Sequence, residues 1–526
     1  MDNPCFMTNP MDGEWRLPFD VIFIIMAASR PSTISALMKT CRALYTEGPK
    51  HLLCNGVQLD RTVEITRFAN FMLTGNPSRF AHLRKLVLGI QLLPGSAVEA
   101  HLADLLAHPS LALDTLVLRH SETLLGHGTD PVLRAAFGRL KTVKHLVVLG
   151  VQDDSATNIN SLPYKLESIS IGVQAGIVNI LPMLKPFSHT LRTLLVKSQP
   201  FVTTLFLVAD SGSFHFPHVQ TFGIVYHESV PDLLAGLAFA QAFPAITHLK
   251  LIPTDLPTTR RRTGLPTGWA LDGFTRSRER SQAQRLQHPD GRLPSLSSLV
   301  ECSGGLLSVY ALSLDCTLST LRLWQDVRVD ELPVLRTVLE DTRPRRLCLS
   351  IEMRDAGQLF ATLRTLQTHP PPACIDLQIS LSFWTTLFLK KVMTEFRSSL
   401  ESLLRPPPRG LVELNLLFDV PSSVEVAEKA LTLRDTLVAF MNRASAVAPS
   451  LILTCRLSEA ADDGDWQWPD LGQADDVDYD FASMPSPTTV TIFNISSPGT
   501  KAQIRSIIVP IRAQLVLLST MLRLCP

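Results

Sequence analysis

The sequence predicts a mixed α/β chain in which a short all-α segment precedes an irregular solenoid of alternating strands and helices. Three observations carry that prediction. Apolar residues spaced apolar-x-x-apolar-x-apolar recur from residue 80 onwards, segments of helical periodicity lie between these triplets, and residues 15–54 show helical spacing without the triplet. A chain of 526 residues is too long for one ordinary core, so several domains or a repeat array is expected. Apolar residues make up 45% of it and charged residues 18%, which argues for a folded chain and against a disordered one.

Residues 1–14 carry acids and no basic stretch, so they read as a flexible N-terminus and not as a secretory signal. Pro18 suits the first turn of a helix, where its missing N–H costs nothing. Leu17, Val21, Ile22 and Ile25 then make one apolar face. Ser29, Arg30 and Pro31 break the run. Ser32 or Thr33 is expected to cap a second helix, with Ile34, Leu37, Cys41 and Leu44 on one side. Gly48-Pro49 is expected to end it, and His51-Leu52-Leu53 suggests a short third helix. So short a stretch cannot bury this much apolar surface alone, so part of it should face a partner or the rest of the chain.

Leu-Pro-x-Asp at Leu17 to Asp20, an aliphatic helix, and then Leu-Met-x-x-Cys-Arg-x-Leu at Leu37 to Leu44 together resemble an F-box of the type common in fungi. The resemblance covers residues 15–54. It departs from the family in the aromatic after Cys-Arg, displaced here to Tyr45, and in a short link between the first two helices. It implies docking on the small Skp-type adaptor of a cullin-RING ubiquitin ligase. The residues carried over to that role are Leu17, Pro18, Val21, Ile22, Ile25, Leu37, Cys41 and Leu44. The residues alone also allow a helical hairpin that merely caps the downstream domain.

The triplets include Leu83, Leu86 and Leu88; Leu113, Leu116 and Leu118; Leu191, Leu194 and Val196; and Val219, Phe222 and Ile224. After Ile246, Leu249 and Leu251 comes a gap. Leu318, Leu321 and Leu323 follow, then a partial copy at Leu347 and Leu349, Cys374, Leu377 and Ile379, and Leu411, Leu414 and Leu416. Helical periodicity is clearest at Ala97–His108, Pro131–Leu140, Pro231–Phe243, Glu331–Asp341, Trp384–Leu404 and Val424–Asn442. A strand and a helix repeated at nearly constant period predict strands along a concave face and helices behind. The pattern resembles leucine-rich repeats over residues 80–455, within a domain running from 80 to 526. The Asn or Cys that normally follows each strand has no regular position here, which predicts an irregular arc.

Strict alternation along a strand turns the residues between the apolar ones outwards. Early strands offer Val87, Val117 and Val147, and later ones Lys250, Arg322, Trp324, Arg346, Asp376, Glu413 and Asn415. Interfaces favour Trp and Arg as anchors, so Arg322, Trp324, Arg346, Asp376, Glu413 and Asn415 are the candidate substrate-binding residues. The plain reading of the three valines is burial.

Two stretches interrupt the repeats. Residues 254–293 hold Arg260 to Arg262, Arg276, Arg278, Arg280 and Arg285 among prolines and glycines, and read as a long mobile basic loop. Residues 458–483 hold nine acids with Trp466, Trp468 and Tyr479, and read as an acidic loop able to meet basic partners or the basic loop itself. Thr489–Ile495 reads as a strand.

A net charge of +1 gives no steer toward nucleic acid or an anionic membrane, and no apolar run is long enough to span a bilayer. The nine cysteines include no CxxC pair, so neither a zinc site nor a disulfide framework is indicated, and a reducing cytoplasmic or nuclear setting is expected. No phosphate loop, nucleophile elbow or His-Glu-x-x-His pair occurs, so neither catalysis nor a cofactor is expected. The resulting expectation is an F-box substrate adaptor with a protein substrate held on the repeats. Its rival is a leucine-rich-type scaffold with no ligase role, the N-terminal helices being a cap. Exposure of the Leu17–Ile25 face separates the two.

Overall fold

Proline and small polar side chains set the boundaries of the first helices in a computed structural model of the chain. It describes residues 18–74, 77–93, 95–173, 180–198, 214–226, 242–253, 267–286, 296, 298–352, 361–362, 365–366, 372–380, 413–421, 452–460 and 491–495. The chain divides into two compact units, one of Met1–Leu146 with Ser161–Lys165, the other of Val147–Asn160 with Leu166–Pro526.

In the first unit, helix α1 (Phe19–Ala27) starts after Pro18, whose carbonyl accepts from the N–H groups of Val21 and Ile22 at 3.0 and 3.2 Å. Ser29 Oγ donates to the Ile25 carbonyl at 2.6 Å and closes the end. Helix α2 (Pro31–Met38) is capped by Arg30 with Pro31 in its first turn, so neither Ser32 nor Thr33 is the cap. It also stops earlier than the apolar spacing predicts. Thr40 spends both its N–H and its hydroxyl on the Leu37 carbonyl, at 3.0 and 2.7 Å, which takes the acceptor that a further helical turn needs. Cys41 is extended and starts helix α3 (Arg42–Cys54), so Ile34, Leu37, Cys41 and Leu44 do not share one helix.

Gly48 and Pro49 lie inside α3 instead of ending it. Pro49 leaves the Tyr45 carbonyl without its helical donor, but Tyr45 is exposed and water can serve it. Gly48 is needed for packing, because a Cβ there would overlap Cγ and Sδ of Met38 on α2. The three helices enclose a core of Met26, Ile34, Met38 and Leu44, against which Ile22, Phe23, Leu37, Leu52 and Phe71 pack. Phe71 belongs to α4 (Thr62–Leu73), started by Glu64, whose Oε2 accepts from the N–H groups of Asp60 and Arg61 at 2.9 and 3.1 Å. The buried Arg79 lies over the Phe71 ring at 4.2 Å and donates to the Phe71 carbonyl at 2.6 Å, tying this region down.

Strands β1 (Val57–Leu59), β2 (Lys85–Leu88) and β3 (Thr115–Leu118) of this unit are parallel, with Val57, Leu86 and Leu116 in register. The sheet therefore begins before residue 80. Helix α5 (Ala97–Leu106) packs on α4, the short α6 (Ser121–Leu124) follows β3, and α7 (Pro131–Phe137) packs on α5. Strand β4 (His145–Val151) spans the point where the two units divide.

In the second unit, α8 (Asp153–Asn160) packs on α9 (Leu181–Leu184). Its strands are β5 (Ser168–Val173), β6 (Thr193–Ser198), β7 (Thr221–Tyr226), β8 (His248–Pro253), β9 (Glu301–Gly304), β10 (Thr320–Asp326), β11 (Arg346–Glu352), β12 (Cys374–Ser380), β13 (Glu413–Pro421) and β14 (Ile452–Ala460). Each pairs in parallel with the next, and β15 (Thr491–Ile495), expected as a strand, closes the order antiparallel to β14. One buried row runs through Ile169, Leu194, Phe222, Leu249, Cys302, Leu321, Leu347, Ile375 and Leu414. The predicted apolar positions thus line up strand to strand.

Strand β9 fills the gap left in the triplet pattern. Leu299, two residues ahead of it, and its Cys302 and Gly304 take the three positions, and the pattern is hidden because Gly304 has to be small, a Cβ there lying 2.7 Å from Leu251 Cβ. In β12 the inward residues are Ile375, Leu377 and Ile379, so Cys374 points outwards and the triplet of that repeat is shifted by two residues. A shift of two preserves which side each neighbour faces.

The expected helices at Ala97–His108, Pro131–Leu140 and Glu331–Asp341 form as α5, α7 and α12 (Leu332–Thr342), whereas those at Trp384–Leu404 and Val424–Asn442, and nearly all of Pro231–Phe243, lie outside the described residues. The basic stretch is a correction. Half of it is a helix, α10 (Thr267–Leu286), which packs on α11 (Leu306–Leu312), and α11 packs on α12. Its buried stripe is Phe274, Ser277, Arg278 and Ser281, a helical spacing made of small and charged residues. Arg278 Nη1 and Nη2 donate to Asp341 at 2.6 and 3.2 Å, Nη1 also reaches the Tyr310 carbonyl at 3.1 Å, and the guanidinium lies 4.7 Å from the Tyr310 ring centre. Arg260 to Arg262 lie outside the described residues, as does the acidic stretch except for Ser458–Ala460, which belong to β14.

Candidate interaction site

Alternation along β10 to β13 turns a second set of side chains away from the buried rows. Leu321 and Leu323 are buried while Arg322 and Trp324 are partly exposed, which is the expected register. One outer row reads Lys250, Ser303, Arg322, Cys348, Asp376 and Asn415, and the row beside it reads His248, Glu301, Thr320, Arg346, Cys374 and Glu413. Strands about 4.8 Å apart bring these residues together although they lie far apart in the chain.

Asp376 is the centre of the group. Its Oδ2 accepts from Arg346 Nε at 2.6 Å and from the Cys348 thiol at 3.2 Å, and its Oδ1 accepts from Asn415 Nδ2 at 2.7 Å, with the Cys374 thiol at 3.8 Å. Asn415 Nδ2 also donates to Glu413 Oε1 at 2.8 Å. Next to this group, Arg322 Nε donates to Glu301 Oε1 at 3.1 Å. Trp324 lies where the β10–β11 register shifts between Leu323 and Asp326, an irregularity of the kind that re-aims side chains.

Burial works against ionisation of Asp376, yet the bonds from Arg346, Asn415 and Cys348 outweigh it and hold the carboxyl below the usual carboxylate range. The hydrogen bond to Asp376 in turn holds Arg346 more firmly protonated than an isolated guanidinium. Burial, and then the Asp376 charge, push the Cys348 thiol up to about 12, and burial with Asp376 and Glu413 does the same to Cys374. Both thiols are therefore hydrogen-bond donors at neutral pH, neither nucleophiles nor thiolate ligands. Among the described residues no group of three or more His, Cys, Asp or Glu side chains is placed to hold a metal ion. The arrangement suits recognition by hydrogen bonds and charge.

Of the six candidate substrate-binding residues, Arg346, Asp376, Glu413 and Asn415 meet in one network, Arg322 stands beside it with Glu301, and Trp324 is half-buried at the register shift. Sequence reasoning missed Glu301, Cys348 and Cys374. The signal was their spacing of one from an inward residue or two from an outward one, hidden for the cysteines by counting them as apolar. Val87, Val117 and Val147 are buried, so the plain reading of them holds.

A second surface lies on the N-terminal helices. Val21 and Ile24, one turn apart on α1, are 38% and 69% exposed and leave that side open to solvent among the described residues, while Phe19, 51% exposed, lies on the core side and stacks on Phe23. Pro18 and Cys41 are exposed, Ile22, Ile25 and Leu37 are half-buried, and Leu44 is in the core. Leu17 lies outside the described residues. Phe19 and Ile24 were not among the candidates, because apolar residues lie on all sides of α1 and spacing alone does not say which side is core. No described helix is long and apolar enough to cross a membrane. No protein-family model matches the chain, and no curated protein matches it either.

Proposed function

We propose that this chain is an F-box substrate-recognition adaptor of a Skp–cullin–F-box ubiquitin ligase, with residues 15–54 docking on the Skp-type adaptor and an irregular leucine-rich-type solenoid holding a protein substrate. The carrying observation is the exposed apolar pair Val21 and Ile24, one turn apart on a helix whose opposite side already has a core. A helix serving only as a cap would turn that pair inwards, whereas an interaction module leaves it free. The resemblance of Leu17 to Asp20 and of Leu37 to Leu44 names the occupant. Contact with it falls to Pro18, Val21 and Ile24, and Leu44 acts by holding the helices together.

The solenoid reading is supported by in-register parallel strands following one another in chain order, and by α10, α11 and α12 packing in sequence. In this reading the outer face around Asp376 meets the substrate. Ubiquitin transfer belongs to other subunits, and this chain supplies proximity. The test is co-expression with a Skp-type adaptor. The intact chain is expected to co-purify with it, and a Val21→Glu, Ile24→Glu double variant to lose it while staying folded. An intact chain that never co-purifies removes the ligase role.

A further inference from the structure

We infer that Asp376 is a positioning residue that holds Arg346 as a fixed guanidinium fork, and that this fork takes a carboxylate side chain of the protein substrate. The inference rests on the recognition role proposed for this face and names the chemistry it recognises.

Asp376 is 8% exposed, and both of its oxygens are already occupied, Oδ2 by Arg346 and Cys348 and Oδ1 by Asn415 and Cys374. A carboxylate so enclosed has little left to offer a partner. Arg346 is in the opposite condition. Its side chain is 49% exposed, and only Nε is engaged by Asp376. Among the described residues neither Nη1 nor Nη2 has a partner, so the guanidinium edge that matches a carboxylate remains open. An arginine held through Nε by a buried acid has lost the rotamer freedom that weakens most surface arginines, so less entropy remains to be lost on binding.

The neighbouring acids do not cancel this preference. Glu301 accepts from Arg322 and Glu413 accepts from Asn415. Each of these acids keeps one oxygen for a further donor, but only Arg346 presents a fixed two-donor edge, and an Asp or Glu side chain on an extended segment crossing β10 to β12 fits it. The competing reading is a basic partner drawn by the excess of Glu301, Asp376 and Glu413 over Arg322 and Arg346.

The test uses the full chain and fluorescein-labelled hexaglutamate, with hexalysine as the contrast, read by anisotropy at about 0.15 M salt to suppress weak long-range attraction. Hexaglutamate is expected to bind more tightly than hexalysine. Arg346→Gln should weaken it about tenfold or more, and Arg346→Lys, which keeps the charge without the fork, should not restore it. Asp376→Asn should weaken binding when Arg346 is present and change nothing when Arg346→Gln is already in place. That coupling separates positioning from general damage. If Asp376→Asn does not fold, the Gln and Lys variants at the half-exposed Arg346 decide the matter. Undiminished binding in Arg346→Gln, full rescue by Lys, or preferred binding of hexalysine lost in Glu413→Gln would overturn the inference. Co-purification with the Skp-type adaptor, followed in the same variants, reports separately on the N-terminal role.

Discussion

Asp376 accepts from side chains on β11, β12 and β13, so its charge is felt by two thiols as well as by one arginine. Replacing it with Asn removes the negative charge that helps to raise both thiols, and the half-exposed Cys374 should then be alkylated faster at pH 8, by several-fold, with Cys302 as the buried internal control. An unchanged Cys374 rate would mean that Asp376 does not act on it. The same carboxyl carries a pH signature. Its value in the folded chain is below that in the unfolded chain, so its stabilisation is fully present above about pH 4 and is lost as the pH falls through the lower folded value. The Asp376→Asn variant should be less stable by about 2 kcal/mol at pH 7. Denaturant unfolding should find that gap narrowing below about pH 4, and a gap constant down to pH 2 would contradict the assignment. Asp376, Arg346 and Asn415 could be placed on one face from strand alternation alone. That they bond to one another, and that Cys348 and Cys374 join them, depends on which strands are neighbours, and that is not written in local sequence.

Helix α10 is the element on which sequence and structure differ most. Its buried stripe of Phe274, Ser277, Arg278 and Ser281 has helical spacing but little apolar character, so a search for apolar periodicity passes over it. What fixes it is a charge pair, Arg278 with Asp341 on α12. Asp341→Ala would leave the buried Arg278 guanidinium without its carboxylate and with the Tyr310 carbonyl alone, at a cost of about 2–3 kcal/mol. Limited proteolysis should then cut within Thr267–Leu286 much faster, while Arg276→Ala, on the exposed side, should change stability by no more than about 0.5 kcal/mol. Equal cleavage of both variants would mean that the pair does not anchor the helix. Strand β9 was hidden for a related reason, since Cys302 and Gly304 replace the larger apolar residues while keeping the register. Helix α3 runs through Gly48-Pro49, a pair that usually stops a helix, because the close approach of Met38 requires the glycine there.

The fold as a whole was legible where a repeated pattern specifies a repeated geometry, as in the rows through Leu194, Phe222 and Leu249 and through Leu347, Ile375 and Leu414. It was less legible at the N-terminus, where apolar residues on all sides of α1 do not say which side is core, and Met26 inside with Ile24 outside emerges only from packing against Ile34 and Leu44. The central claim is that this open side of α1 binds a Skp-type adaptor. Its most direct test is equilibrium titration of the purified full chain with the purified adaptor, comparing the wild type with Ile24→Glu and with Arg346→Gln. Interface anchors of this kind are worth about 2 kcal/mol or more. Ile24→Glu should therefore weaken binding by roughly thirtyfold, with Arg346→Gln equal to the wild type. Equal affinity in all three proteins, or no binding by the wild type, would contradict it.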